Sequence, residues 1–288
     1  MPRPPKKTAP LTVTVAVATA TDFGYCSITK AAELVRCRPA RGKTLSLPAA
    51  KAFNLMLSVA GHGGFEDRLY SIPKRDLRGT HNANDRIPDI LDELHTTLFE
   101  FTVESPRGKP AKLVTSVLAA RIEELADTDD ALVYFRLPPE LVKLHRLSTL
   151  WSKLSGPTLI RFDSAYALRL YEIGCQMVGR DEPTMRITPK ELRDLLHVPA
   201  SAYRDWTSLR RKTLDAAIVE VNQLADFVIN VPPEEIRRSG RKVISILLQF
   251  WAKPGTEAEA ARKERLGHSA GRRARRQGKV ETVTSEGA

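Results

Sequence analysis

Cysteine is scarce in this chain, and what there is lies far apart. Cys26, Cys37 and Cys175 are odd in number and show no close spacing, which excludes a disulfide framework and a Cys-based zinc site and points to a reducing, cytoplasmic setting. Histidine is equally thin: none of the six is placed four apart from another or across a single residue from one, so no metal-ligand pair stands out. No apolar run approaches the roughly 18 residues of a membrane-spanning helix. A phosphate loop is also missing, because Cys37-Arg38-Pro39-Ala40-Arg41-Gly42-Lys43-Thr44 lacks the first glycine and follows no clear apolar strand. Tyr166 and Tyr171 sit in an apolar helical pattern, and no motif ties His197 or Cys175 into a nucleophile and base pair. Neither catalysis, a cofactor, a metal nor a membrane is expected.

What the chain does have is positive charge and enough apolar material for more than one core. At 288 residues, 42% hydrophobic and 27% charged, it suits two domains of roughly 100 to 130 residues each plus tails. The net charge of +11 divides into +2 over residues 1–25, +6 over 26–253 and +3 over 254–288. The basic excess thus belongs to the body as well as to its ends, which points to a polyanionic partner. Near the start, Arg3, Lys6 and Lys7, an apolar run from Leu11 and Ala18-Thr19-Ala20 imitate a secretory leader. The alternation Thr12-Val13-Thr14-Val15 favours a strand or a flexible arm over 1–25 instead.

Ser27 offers a cap for a short helix through Arg36, and a basic connection follows from Arg38 to Lys43. A helix is predicted from Leu47 to Ala60, ended by Gly61, Gly63 and Gly64. Then come Ile72 to Arg78, a polar turn, and a helix over about 85–98 with Ile87, Ile90, Leu91, Leu94 and Leu98 on one face. Two strand-like runs, Phe99 to Val103 and Lys112 to Ala119, flank the basic loop Ser105-Pro106-Arg107-Gly108-Lys109-Pro110, which has the makings of a wing. A strand over Ala131 to Leu137 and a helix from Pro138-Pro139 through Leu147 lead to a junction at Ser155-Gly156-Pro157.

The same order recurs after it: a helix over about 163–178, Ile187 to Leu196, a turn, a long helix over about 203–224, and two strands joined through Arg237-Arg238-Ser239-Gly240-Arg241-Lys242. Ile72 and Leu77 match Ile187 and Leu192 at one offset of 115 residues, and Arg75-Asp76-Leu77-Arg78 pairs with Lys190-Glu191-Leu192-Arg193. Two related modules in tandem account for this. The expected fold is α+β: two winged-helix domains, each a helix-turn-helix with a β-hairpin wing, over 26–152 and 157–253. Beyond them, 254–288 reads as a basic, mostly disordered tail.

The most informative segment opens the long helix. Trp206, Leu209, Thr213, Ala217, Val221 and Leu224 form one inward stripe by spacing, leaving Tyr203, Arg204, Thr207, Ser208, Arg211 and Lys212 for the opposite face. Arginine pairs with guanine edges, and serine, threonine and lysine suit bases or phosphates in a groove that admits a helix. The loop with Arg237, Arg238, Arg241 and Lys242 would lie along the backbone as a wing. In the first module the corresponding residues are Asn82, Asn84 and Arg86, with Arg107, Lys109 and Lys112 on the hairpin. Asparagine there reads adenine or merely caps the helix, and the module serves backbone contact or a partner surface. Double-stranded DNA is the expected partner.

The second module resembles the C-terminal domain of the iteron-binding plasmid replication initiators. The residues that carry the resemblance are Ser164 through Glu172, the Leu192 to Leu196 helix, the tract from Tyr203 ending in Ala217-Ile218-Val219-Glu220-Val221-Asn222, and Gly240-Arg241-Lys242-Val243. Domain order agrees from about 44 to 252, although Gly174-Cys175 stands where leucines would be expected. The resemblance implies binding to direct repeats at a plasmid origin, opening of nearby DNA, and recruitment of host initiator and replicative helicase. It further implies a monomer in equilibrium with a homodimer that represses its own gene. A winged-helix transcriptional regulator is the alternative. A nicking initiator or relaxase would need a histidine cluster beside a nucleophilic tyrosine, which the sequence lacks.

Overall fold

The computed structural model describes residues 18–19, 27–78, 84, 86–126, 128 and 130–266. Most of the N-terminal arm, the polar turn holding His81 to Ala83, and the chain from 267 onward lie outside the described residues.

A two-residue strand, β1 (Ala18–Thr19), comes first. Residues 27–36, expected as a helix capped by Ser27, instead form strand β2 (Ile28–Ala31) and a single turn, α1 (Ala32–Val35). The reason is tertiary. β2 pairs antiparallel with β9 (Trp151–Leu154), and this distant partner overrides local helix preference. After β3 (Arg38–Pro39), Ser46 accepts a hydrogen bond from the Ala49 amide and opens α2 (Leu47–His62), which runs through Gly61 to Gly63.

The first module continues with β4 (Tyr70–Pro73), α3 (Lys74–Leu77), α4 (Ile87–Thr96), β5 (Leu98–Glu104), β6 (Pro110–Ser116), β7 (Ala120–Glu123), β8 (Leu132–Arg136) and α5 (Pro139–Leu147). Its main sheet has the order β1-β4-β8-β7, whereas β5 and β6 join β3 in a separate sheet. The basic hairpin at 105–110 is therefore not the wing of the sheet that contains β4. It is an excursion between α4 and β7, and β7 went unread because Ala120-Arg121-Ile122-Glu123 is short and nearly half exposed.

The second module repeats the plan more cleanly. After α6 (Gly156–Leu159) come α7 (Ala165–Met177), β10 (Thr184–Ile187) and α8 (Pro189–Leu196). A continuous helix then runs through α9 (Trp206–Leu209), a π-helical segment Arg210–Asp215, and α10 (Ala216–Leu224). Next are β11 (Phe227–Asn230), β12 (Arg237–Ser239) and β13 (Lys242–Ala252). The sheet order β10-β13-β11 reproduces β4-β8-β7 of the first module, so the short matching peptides at 72–78 and 187–193 mark equivalent strand-to-helix passages.

One contiguous apolar core runs from Ile28 to Phe250. At its centre α7 buries a cluster of charge. Lys30 Nζ lies 2.7 Å from Glu172 Oε1 and 3.1 Å from Asn54 Oδ1, while Arg169 holds Glu172 Oε2 at 2.6 Å and the Val35 carbonyl at 2.6 Å. The stretch from residue 254, expected as tail, begins with the ordered helix α11 (Gly255–Leu266). Ala261 is buried there, and Arg265 donates to the Leu224 carbonyl at 2.6 Å and to Asp226 at 2.8 Å.

Candidate nucleic-acid interface

The α8 to α9 passage is built by capping and by one arginine. Thr188 and Glu191 form a reciprocal capping box at the start of α8, with Thr188 Oγ1 accepting from the Glu191 amide at 3.1 Å and Glu191 accepting from the Thr188 amide at 2.7 Å. Both the His197 and Tyr203 backbones adopt positive φ, 55° and 47°, a region that side chains with a Cβ enter at a cost. Arg193 offsets that cost by donating to the Ala202 carbonyl at 2.7 Å and to the Tyr203 carbonyl. Tyr203 and Arg204 thus stand in the turn ahead of the helix rather than on it. The helix begins at Trp206, and Asp205 caps it by accepting from the Ser208 amide at 2.8 Å, a bond that holds the Asp205 carboxyl below its usual range.

The inward stripe is as the spacing predicts: Leu209, Thr213, Ala217, Val221 and Leu224 are buried, and Trp206 packs against the core. Leu214 is buried as well. An α-helix cannot place consecutive residues 213 and 214 on one narrow stripe, but the π-helical turn admits one extra residue and lets both face inward. Thr213 Oγ1 donates to the Leu209 carbonyl at 2.6 Å inside that turn. Arg204, Thr207, Arg211 and Lys212 are exposed on the outer side, and Ser208 is half-buried. Arg210 is held by Asp215 at 3.1 Å, whereas Lys212 sits 5.5 Å over the Tyr203 ring. Arg211 and Arg204 have no ion-pair partner among the described residues.

The wing is a tight hairpin. Ser239 pairs with Lys242 across a turn whose Gly240 has φ 55°, a conformation that glycine adopts without penalty. Arg237, Arg238, Arg241 and Lys242 are all exposed and carry no carboxylate partner among the described residues.

In the first module the candidates are dispersed. Asn82 lies outside the described residues, and Asn84 is buried, its carbonyl receiving the Ile87 amide at the mouth of α4. Arg86 is exposed at the α4 start. Arg107 and Lys109 are exposed on the β5–β6 turn, while Lys112 is drawn into a 3.0 Å ion pair with Glu100.

The side chains weighed for chemistry are packed. Tyr171 is buried, its hydroxyl accepts from the Ser155 amide at 2.8 Å, and burial pushes its pKa up. Burial also pushes the Cys175 thiol up to about 12. Among the described residues, no helix is long and apolar enough to cross a membrane.

Two residues that shape this face were not singled out by the sequence. Asp205 had a legible signal, an aspartate just before the first inward residue. Arg193 had none, since its role depends on a turn whose dihedrals only the fold reveals.

Fold and surface together define a tandem winged-helix protein with an unpaired cationic helix and wing on its second module. Residues 188–250 match the family described as initiator Rep protein, WH2, and every candidate on the helix and wing falls within that match. The fold is similar to that of the Pi initiator protein, solved by crystallography in complex with iteron DNA. The two share 14% sequence identity with a TM-score of 0.59, over 80% of this chain and 98% of that one. No curated protein matches the sequence.

Proposed function

We propose that this protein is a non-catalytic plasmid replication initiator that binds direct repeats at its origin. The observation that carries the reading is the set of exposed cations without a carboxylate partner among the described residues, Arg204 just ahead of α9, Arg211 and Lys212 in its π-helical continuation, and Arg237, Arg238, Arg241 and Lys242 on the β12–β13 hairpin, within an initiator-type winged-helix domain. The helix enters the major groove, where Arg211, Lys212, Thr207 and Ser208 meet base edges, and Tyr203 and Arg204 flank its N-terminal end. Arg237, Arg238, Arg241 and Lys242 follow the phosphate backbone. The first module, 26–152, adds backbone contact through Arg86, Arg107 and Lys109 and offers a dimer or partner surface. Opening of adjacent DNA, recruitment of host initiator and helicase, and repression of its own gene by the dimer complete the proposal, all within the cytoplasm.

Selection of bound fragments from randomised and plasmid-derived duplexes, followed by footprinting, tests this reading. Tandem direct repeats are expected to be enriched. A single palindrome would point to a transcriptional regulator, and no enrichment would overturn sequence-specific recognition.

A further inference from the structure

A feature that DNA binding leaves unused is a partly open cavity of about 150 Å³ between α2 and α7. Its walls are predominantly apolar, with Phe53, Phe99, Phe101 and Leu196 among them, and the half-buried residues Thr44, Leu45 and Pro199 border it on the outside. An engineered apolar cavity of about this size accepts benzene. This one differs in having a charged floor. Lys30 is 3% exposed, Arg169 7% and Glu172 1%, and all three line it.

The floor does not balance. Lys30 and Arg169 share the single carboxylate of Glu172, and burial keeps the other titratable groups neutral, His197 by depressing its imidazole and Cys37 by raising its thiol. Lys30 itself is pushed down by burial despite Glu172. Hydrogen bonding is incomplete as well: among the described residues Arg169 Nε has no acceptor, and Lys30 donates to Asn54 and Glu172 alone. A buried uncompensated cation is costly, and an anion placed beside it recovers that cost.

We infer that this cavity is a binding site for a small monocarboxylate with a compact apolar body, of about the size of benzoate. The apolar part would lie among the phenylalanines and the carboxylate would complete the shells of Arg169 and Lys30. Such a ligand touches α2 and β5 on one side and α7 and the end of α8 on the other, so occupancy would fix the junction between the modules.

Thermal unfolding of the full chain with benzoate, benzyl alcohol and acetate as probes tests the site, alongside the cavity-filling variant Ala50→Leu, whose fold is checked by circular dichroism. Benzoate is expected to raise the midpoint saturably, with benzyl alcohol and acetate at least about tenfold weaker and the benzoate effect lost in a folded Ala50→Leu. Equal binding of benzoate and benzyl alcohol would overturn the anionic class. No saturable effect of benzoate on the wild type, or one that persists in Ala50→Leu, would overturn the site. None of these outcomes depends on the DNA-binding reading.

Discussion

Lys30 and Glu172 are 142 positions apart in the chain, and their side chains meet at 2.7 Å in the protein interior. The pair joins the strand that opens the first module to the central helix of the second. Removing Glu172 strands two buried cations. Glu172→Gln is therefore expected to cost about 3 to 5 kcal/mol of unfolding free energy, Lys30→Met less because Arg169 still holds Glu172, and the double variant less than the sum. Denaturant unfolding of the four proteins checks this; additive losses would show that the two groups do not act as a pair.

Gly174 faces Phe227 so closely that a Cβ added there would lie 2.2 Å from the ring. Phe227 stacks on Tyr171, with centroids 5.8 Å apart. Gly174→Ala would gain about 1 kcal/mol of helix propensity, yet it should destabilise by roughly 1 to 3 kcal/mol through overpacking. Phe227→Leu in that background should restore part of the loss. Stabilisation by Gly174→Ala alone would contradict the packing.

That contact also explains part of a departure the sequence displayed without its cause: Gly174 stands where a leucine was expected because the Phe227 ring occupies the space. Helical periodicity made the second module legible, since its inward stripe from Leu209 to Leu224 follows from spacing alone. Two features were not legible. β2 forms only because β9, more than a hundred residues later, supplies its hydrogen bonds, and the first module's wing was misplaced because a basic loop between two strands does not reveal which sheet the strands join. On the candidate face, residue types were readable but the exact start of the helix was not, because it turns on the left-handed Tyr203 and on Asp205.

His145 Nε2 donates to the Thr29 carbonyl at 3.1 Å, and the ring lies between Phe65 and Trp151 with centroids 3.4 and 4.4 Å away. Its Nδ1 has no partner among the described residues, so a second proton there would be buried unpaired. Burial lowers its pKa to about 4. The unfolded chain, with an imidazole near 6.5, binds that proton first, so the contribution is complete above about pH 6.5 and is lost as pH falls toward 4. This amounts to about 3 kcal/mol. His197, also depressed by burial, acts in the same direction. Unfolding of wild type and His145→Leu from pH 7.5 to 4.5 checks it: the wild type should lose stability more steeply, and parallel profiles would refute the assignment.

The helix and the wing should respond differently to the loss of charge. Arg241→Ala or Lys242→Ala is expected to lower binding to all duplexes alike and to reduce the slope of log affinity against log salt by about 0.9 for each phosphate no longer neutralised. An unchanged slope would remove the wing from the backbone.

The most direct test of the central claim, that the helix beginning at Trp206 reads bases, compares wild type and Arg211→Ala on the selected repeat and on random duplex at matched salt. The account predicts a loss of about 1 to 3 kcal/mol on the repeat, with a much smaller change on random DNA. An equal loss on both would make Arg211 a phosphate contact and contradict base reading by this helix.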